Sequence, residues 1–304
     1  MPTSPAVVRR RCSVRLQEGG MARVKLPSSV RQRRLGAELR RLRERANLSA
    51  TRAAELFGTS QSRISGIEAG GYAVSAERVR ALARLYGCED RSLIEALTRM
   101  TGGRTRGWWE EYRGIVPADA LDLAELEHHA TSLRVASMIH LPGLLQTREQ
   151  ARVVMAGAVP ALAPFELEHR ISYRIKRQGV LYGDMAKPLT AIVHEAALRM
   201  DFGGPEVTRK QLQFLLERGR EEHICVLVIP FGSGPLPSAG NGIVHCGGEV
   251  SQLDSVQLDT DHGSVFIDAE VQLGEYRTIL DRMQTCALDP AESSDLIQRI
   301  AREL

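Results

Sequence analysis

Lysine is nearly missing from this chain: of forty basic residues, only Lys25, Lys176, Lys187 and Lys210 are not arginine. That bias points to a GC-rich coding sequence rather than to chemistry. Cysteine is sparse too. Its five copies, Cys12, Cys88, Cys225, Cys246 and Cys286, form no Cys-x-x-Cys and make an odd total, which argues against a disulfide framework or a zinc ribbon and for a reducing cytosol. No apolar run approaches the about 18 residues of a membrane helix. The N-terminal arginines are followed by no apolar core, so no secretory signal is expected. A Gly-rich phosphate loop, a nucleophile elbow and a zinc-protease motif are all missing. Histidine does not fill the gap. His128-His129 are adjacent on a helix and diverge by about 100°, and His245-Cys246 on a strand point to opposite faces, so neither is a ligand pair by spacing. Only the fold could gather His194, Glu195 and His245. No enzyme, no cofactor and no metal are expected.

What is present is an ordinary globular composition, 43% hydrophobic and 25% charged over 304 residues, long enough for two cores. The net charge of +3 conceals an asymmetry. Residues 1–30 carry six basic and one acidic side chain, residues 31–106 sixteen and eight, and residues 107–304 eighteen and twenty-eight. A basic front and an acidic back imply a polyanion partner for the front alone. Residues 1–29, with Arg9-Arg10-Arg11 and scattered Pro and Gly, show no period and read as a disordered basic arm. Met21 is an alternative start.

From Val30 to Ala46 the apolar positions Leu35, Leu39, Leu42 and Ala46 trace one helical face. Arg33, Arg34, Arg40, Arg41, Arg43 and Arg45 occupy the others, to lie along a phosphate backbone or to keep the helix soluble. Asn47 suits the left-handed residue that ends it. A short helix capped by Ser49 comes next, over about 50–57. Gly58 ends it, Ser60 caps the next helix, and that helix shows Gln61, Ser62 and Arg63 outward while Ile64 and Ile67 point inward. This is a helix-turn-helix, and its second helix is built to read the major groove. Gln pairs with adenine, Ser bonds several edges, and Arg63 reaches guanine or phosphate. Helices capped by Ser75 and then holding Leu93, Ile94, Leu97 and Met100 complete a five-helix domain over 30–101.

Residues 32–100 resemble the Xre, or Cro/C1-type, helix-turn-helix domain through Leu48-Ser49, Ala54-Glu55, Phe57-Gly58, Ser60-Gln61, Ile64-Ser65, Ile67-Glu68 and Gly70. The resemblance implies that Gln61, Ser62, Ser65 and Gly66 face base edges and that Ser49 to Arg52 meet phosphates, Ala50 departing from the glutamine usual there. Double-stranded DNA, a homodimer and a cytoplasmic, nucleoid-associated location are the expectations that come with it.

Residues 102–117 read as a linker, with Gly102-Gly103, Arg104 and Arg106 as hinge and Trp108-Trp109 as a staple onto the second domain. Residues 118–304 read as an α+β domain. Strands are expected over 132–140, 189–194, 224–230, 243–246, 255–258 and 264–268, that over 224–230 buried on both faces. A helix from Pro164 bears Arg170, Arg174 and Arg177 on a face read as solvated rather than as a seat for an acidic partner. The last helix is capped by Asp289, Pro290 and Glu292. This half is similar to the C-terminal domain of antitoxin-like, WhiJ-like regulators through Pro142-Gly143-Leu144-Leu145-Gln146-Thr147, Arg174 with Arg177-Gln178, Glu195 to Arg199, Gly203-Gly204-Pro205, Gln211-Leu212 and Val228 to Phe231. That likeness implies a small partner protein encoded nearby, or a signal, as the domain's ligand. The expected whole is a sequence-specific regulator. An antitoxin that neutralises its partner and a small-molecule sensor remain the alternatives.

Overall fold

The computed structural model describes residues 28–101, 107–238, 240, 242–260 and 262–304. Nearly all of the basic arm and the hinge at 102–106 lie outside them. Five helices come first: α1 (Val30–Arg45), α2 (Ala50–Phe57), α3 (Gln61–Glu68), α4 (Ala76–Leu85) and α5 (Arg91–Arg99). Each begins where a short polar side chain takes up an amide that has no partner within the helix. Ser29 and Gln32 form a reciprocal capping box on α1, and Ser49, Ser60, Ser75 and Asp90 cap the other four. Asn47 adopts the left-handed conformation at φ 55° and Gly58 at φ 67°, as the sequence led one to expect. Leu39, Ile64, Val79, Leu82 and Leu97 fill the core between them. Gly36 lets α1 run against the end of α3, since a Cβ there would stand 2.4 Å from the Glu68 carbonyl oxygen.

The second half is built on one six-stranded sheet of β1 (Ser132–Ser137), β2 (Leu189–His194), β3 (Ile224–Ile229), β4 (Ile243–Gly247), β5 (Ser255–Thr260) and β6 (Gly263–Ile267), in spatial order β3-β2-β1-β4-β5-β6. The first three are parallel neighbours and the rest antiparallel. Helices α6 (Ala118–His129), α7 (Arg148–Ala156), α8 (Pro164–Arg177), α9 (Glu195–Arg199), α10 (Pro205–Arg218), α11 (Glu270–Thr285) and α12 (Pro290–Glu303) surround it. Alternation puts Leu133, Val135, Val226 and Val228 in a core with α10 and α12, and Ala136, Ile192, Leu227 and Ile229 in another with α11. The apolar run in β3 is thus covered on both faces. The first strand stops at Ser137 rather than near His140, because its ladder with β4 ends at Ala136 and that with β2 at Ser137. Trp109 is buried against α6, and Trp108 lies 5.4 Å from the Tyr173 ring of α8, which is the staple expected of this pair.

The two halves meet along α1. Val30 belongs to the core of the second half, and its amide donates to Asp122 at 3.1 Å. Val250 and Leu253 pack against the core of the first half. Arg34, 1% exposed, pairs with Glu38, 0% exposed, and donates to the carbonyls of Gln252 and Asp268. Gln252 in turn donates to Glu38 at 3.0 Å. Two of the arginines assigned to the outer faces of this helix are therefore inside: Arg34 in the seam, and Arg43, which grips Glu68 at 2.7 Å and the Leu48 carbonyl at 2.7 Å. Helical spacing cannot foresee this, because what turns an arginine inward is an acceptor from elsewhere in the chain.

Candidate nucleic-acid interface

The turn between α2 and α3 is shaped by backbone before any side chain acts. Gly58 in the left-handed region lets the Thr59 amide return to the Ala54 carbonyl at 2.9 Å, closing α2. The chain then enters α3 with the Ser60 hydroxyl accepting from the Arg63 amide at 3.2 Å and touching the Ser62 hydroxyl at 3.0 Å. Ile64 and Ile67 are buried, which fixes the rotation of α3 and leaves the opposite face outward. On that face Gln61 and Ser62 are exposed and Arg63 and Ser65 half-buried. Gln61 donates to Ser65 at 2.9 Å, so both hold each other in place while keeping acceptor and donor capacity.

Ser49 and Arg52 lie at the start of α2, both exposed. The Ser49 hydroxyl caps the Arg52 amide at 3.0 Å, and the Arg52 guanidinium pairs with Glu55 at 3.0 Å. Such an exposed pair contributes little and yields readily to a stronger anion. Gly66 differs from the rest of its face. A Cβ on it would stand 2.1 Å from the Tyr72 ring, so Tyr72 covers it, and the Arg63 guanidinium lies 5.3 Å from the centre of that same ring. Sequence reasoning passed over Tyr72. Its one signal was an aromatic directly after Gly70-Gly71, where the chain leaves α3. Behind the face, the hydrogen-bonded Arg43–Glu68 pair locks the end of α3 to α1, and burial next to Glu68 pushes the Tyr86 hydroxyl up to about 12.

The polar residues that carry the second likeness are mostly internal. Gln146 donates to the Leu141 carbonyl at 2.8 Å and accepts from Arg174 at 2.7 Å; Gln178 donates to the Gln146 carbonyl at 2.7 Å, and Gln211 to that of Leu145 at 2.7 Å. Arg177 pairs with Glu127, 0% exposed, at 2.8 Å. The arginine side of α8 is thus no solvated face at Arg174 and Arg177. Burial, with Arg177 nearby, pulls Arg174 down to about 10. Arg170 stays nearer the surface with Glu166.

The histidines are scattered. His194 accepts from the Ala196 amide at 3.1 Å, Glu195 accepts from the Phe231 amide and pairs with Arg199, and His245 contacts Asp254 at 3.1 Å. The rings of His128 and His129, though set apart around the helix, approach to 4.9 Å because both gather around Trp109. Among the described residues no three His, Cys, Asp or Glu side chains are grouped to hold a metal. None of the described helices is long and apolar enough to cross a membrane.

A family model described as a helix-turn-helix domain matches residues 34–97, and one described as a domain of unknown function (DUF5753) matches residues 120–299. No curated protein and no solved structure matches the chain.

Proposed function

Because the chain belongs to the family of the domain of unknown function (DUF5753) and carries a helix-turn-helix domain, which implies DNA binding, we propose that it is a sequence-specific transcriptional regulator of the Xre type. The observation that carries this reading is the outer face of α3. Gln61, Ser62, Arg63 and Ser65 converge there on a helix whose rotation is held by two buried isoleucines and by the Arg43–Glu68 pair. Gln61 and Arg63 supply adenine and guanine or phosphate contacts. Ser49, Ser60 and Arg52 approach the backbone. Two copies, as a homodimer, read half-sites about 34–36 Å apart. The DUF5753 half, WhiJ-like in its motifs, receives a small partner protein or a signal and alters DNA affinity through α1.

The test is a footprint of the full chain on genomic fragments beside that of the Gln61→Ala/Arg63→Ala double variant. Loss of operator preference with residual, salt-sensitive binding is expected. Identical footprints would remove α3 from the reading role.

A further inference from the structure

A cavity of about 90 Å³ opens in the seam between the two halves, several times the ~10–15 Å³ that one water requires. Its walls come from α1 and α5 on one side and from α6, β4 and the start of β5 on the other. Three of its side chains are arginines, Arg31, Arg34 and Arg99, against one carboxylate, Glu249. The arginines are not equivalent. Arg99 pairs with Glu249 at an exposed rim. Arg31 spends its Nη atoms on the carbonyls of Met100 at 3.0 Å and Arg99 at 2.7 Å, which accept hydrogen bonds but carry no net charge. Arg34 is 1% exposed; its Nη atoms pair with Glu38 and Asp268, and its Nε is buried with no hydrogen-bond partner. A buried donor left unmatched is costly. Met100, Leu126 and Leu253 give the remaining wall an apolar stretch, beside His129 and Ser255. Burial, then Arg31, hold His129 down at about 4, and burial lowers Arg31 and Arg34 as well.

We propose that this cavity is a binding site for a small organic anion, its oxyanion head received by Arg31, Arg99 and the free Nε of Arg34 and its short apolar body lying on Met100, Leu126 and Leu253. A ligand held by both halves binds only while they are docked, so it stabilises that arrangement by mass action. Its effect on DNA binding rests on the regulator reading above; its binding does not. By reciprocity, whatever factor the anion imposes on operator affinity, the operator imposes on the anion.

The experiment titrates the full chain, without DNA, by isothermal calorimetry with butyrate, inorganic phosphate and butylamine. Butyrate is expected to saturate one site at the roughly millimolar level available to so few atoms, with butylamine, the same body with the opposite charge, failing to bind. Arg99→Met at the rim and Arg31→Met inside should each weaken butyrate by about tenfold, the worth of one charge-assisted hydrogen bond. Arg209→Met, at an exposed position of α10, should leave it unchanged. Circular dichroism controls for folding, and the rim variant carries the test if the inner one fails to fold. Equal binding of butylamine, undiminished binding in Arg99→Met, or no binding of either anion overturns the proposal. An intact butyrate site with unchanged footprints in the α3 double variant would instead remove the regulator reading and leave the site standing.

Discussion

Arg177 and Glu127 face each other in a place that water scarcely reaches, and neither would sit there alone. Burial pushes the Glu127 carboxyl up, and the arginine 2.8 Å away opposes that shift. Such a pair adds little beyond what well-packed apolar residues would, yet breaking it is expensive because one charge is stranded. Arg177→Met should therefore destabilise the chain by about 3–5 kcal/mol in urea unfolding, and Glu127→Leu/Arg177→Met should recover a large part of that. A second residue supplies a pH dependence. His129, an exposed residue at the end of α6 whose ring lies beside Trp109, is lowered from 6.5 to about 4, first by desolvation and then by Arg31. In that window the unfolded chain binds more protons, so His129's contribution is complete above 6.5 and is lost as pH falls towards 4. His128 shifts in the same direction. Tm should decline across this range and decline less in His129→Gln; equal slopes would contradict the assignment.

At the scale of the element, α3 is held by three devices of different legibility. Its cap, Ser60, and its buried stripe, Ile64 and Ile67, can be read from spacing, since a helix end needs an acceptor and a 3.6-residue period sets the inner face. The Arg43–Glu68 clamp joins residues 25 apart, and no local rule pairs them. Tyr72 is the third device, resting on Gly66 and under the Arg63 guanidinium. A cation over an aromatic face gains about 0.5–1 kcal/mol at an exposed site, enough to bias where Arg63 waits. Gly66→Ala drives a Cβ into the ring and Tyr72→Ala removes it. Both should weaken DNA binding by a similar few-fold in mobility-shift titrations without changing operator preference; full affinity in both variants would make Tyr72 a bystander. Gly66, for which a place facing base edges is proposed, also seats this ring.

At the scale of the molecule, the seam decides whether the reading helix hangs on a tether or is aimed. Arg34, Glu38 and Gln252 form a buried junction between the halves, and Arg45 with Glu270 adds an exposed pair beside it. Arg34→Met leaves Glu38 to Arg41 and Gln252 alone and empties the junction of its central donor, which should cost about 1–3 kcal/mol. It should also split thermal unfolding into two transitions, the halves melting apart; one cooperative transition at the same temperature would mean that Arg34 is not what couples them. The charge imbalance between front and back was legible from counting residues, whereas this junction was not. Arg34 belongs to a row of arginines that look alike in sequence, and its partners at 252 and 268 are more than two hundred residues away.

The sequence by itself determined the elements and which face of α3 points outward. Caps, left-handed turn residues and apolar periods act within a few residues of one another, so Asn47, Gly58, Ser60 and the doubly buried strand at 224–229 could be recognised from their neighbours. Only the tertiary structure decided which charged side chains are internal. It turned Arg34, Arg43 and Arg177 from surface to interior, tied Arg174 to Gln146, set Tyr72 beside Arg63, and opened an arginine-lined cavity between the halves. The physical reason is common to all of them. A buried charge is tolerable only beside an acceptor that replaces water, and those acceptors arrive from distant parts of the chain that only the completed fold brings together.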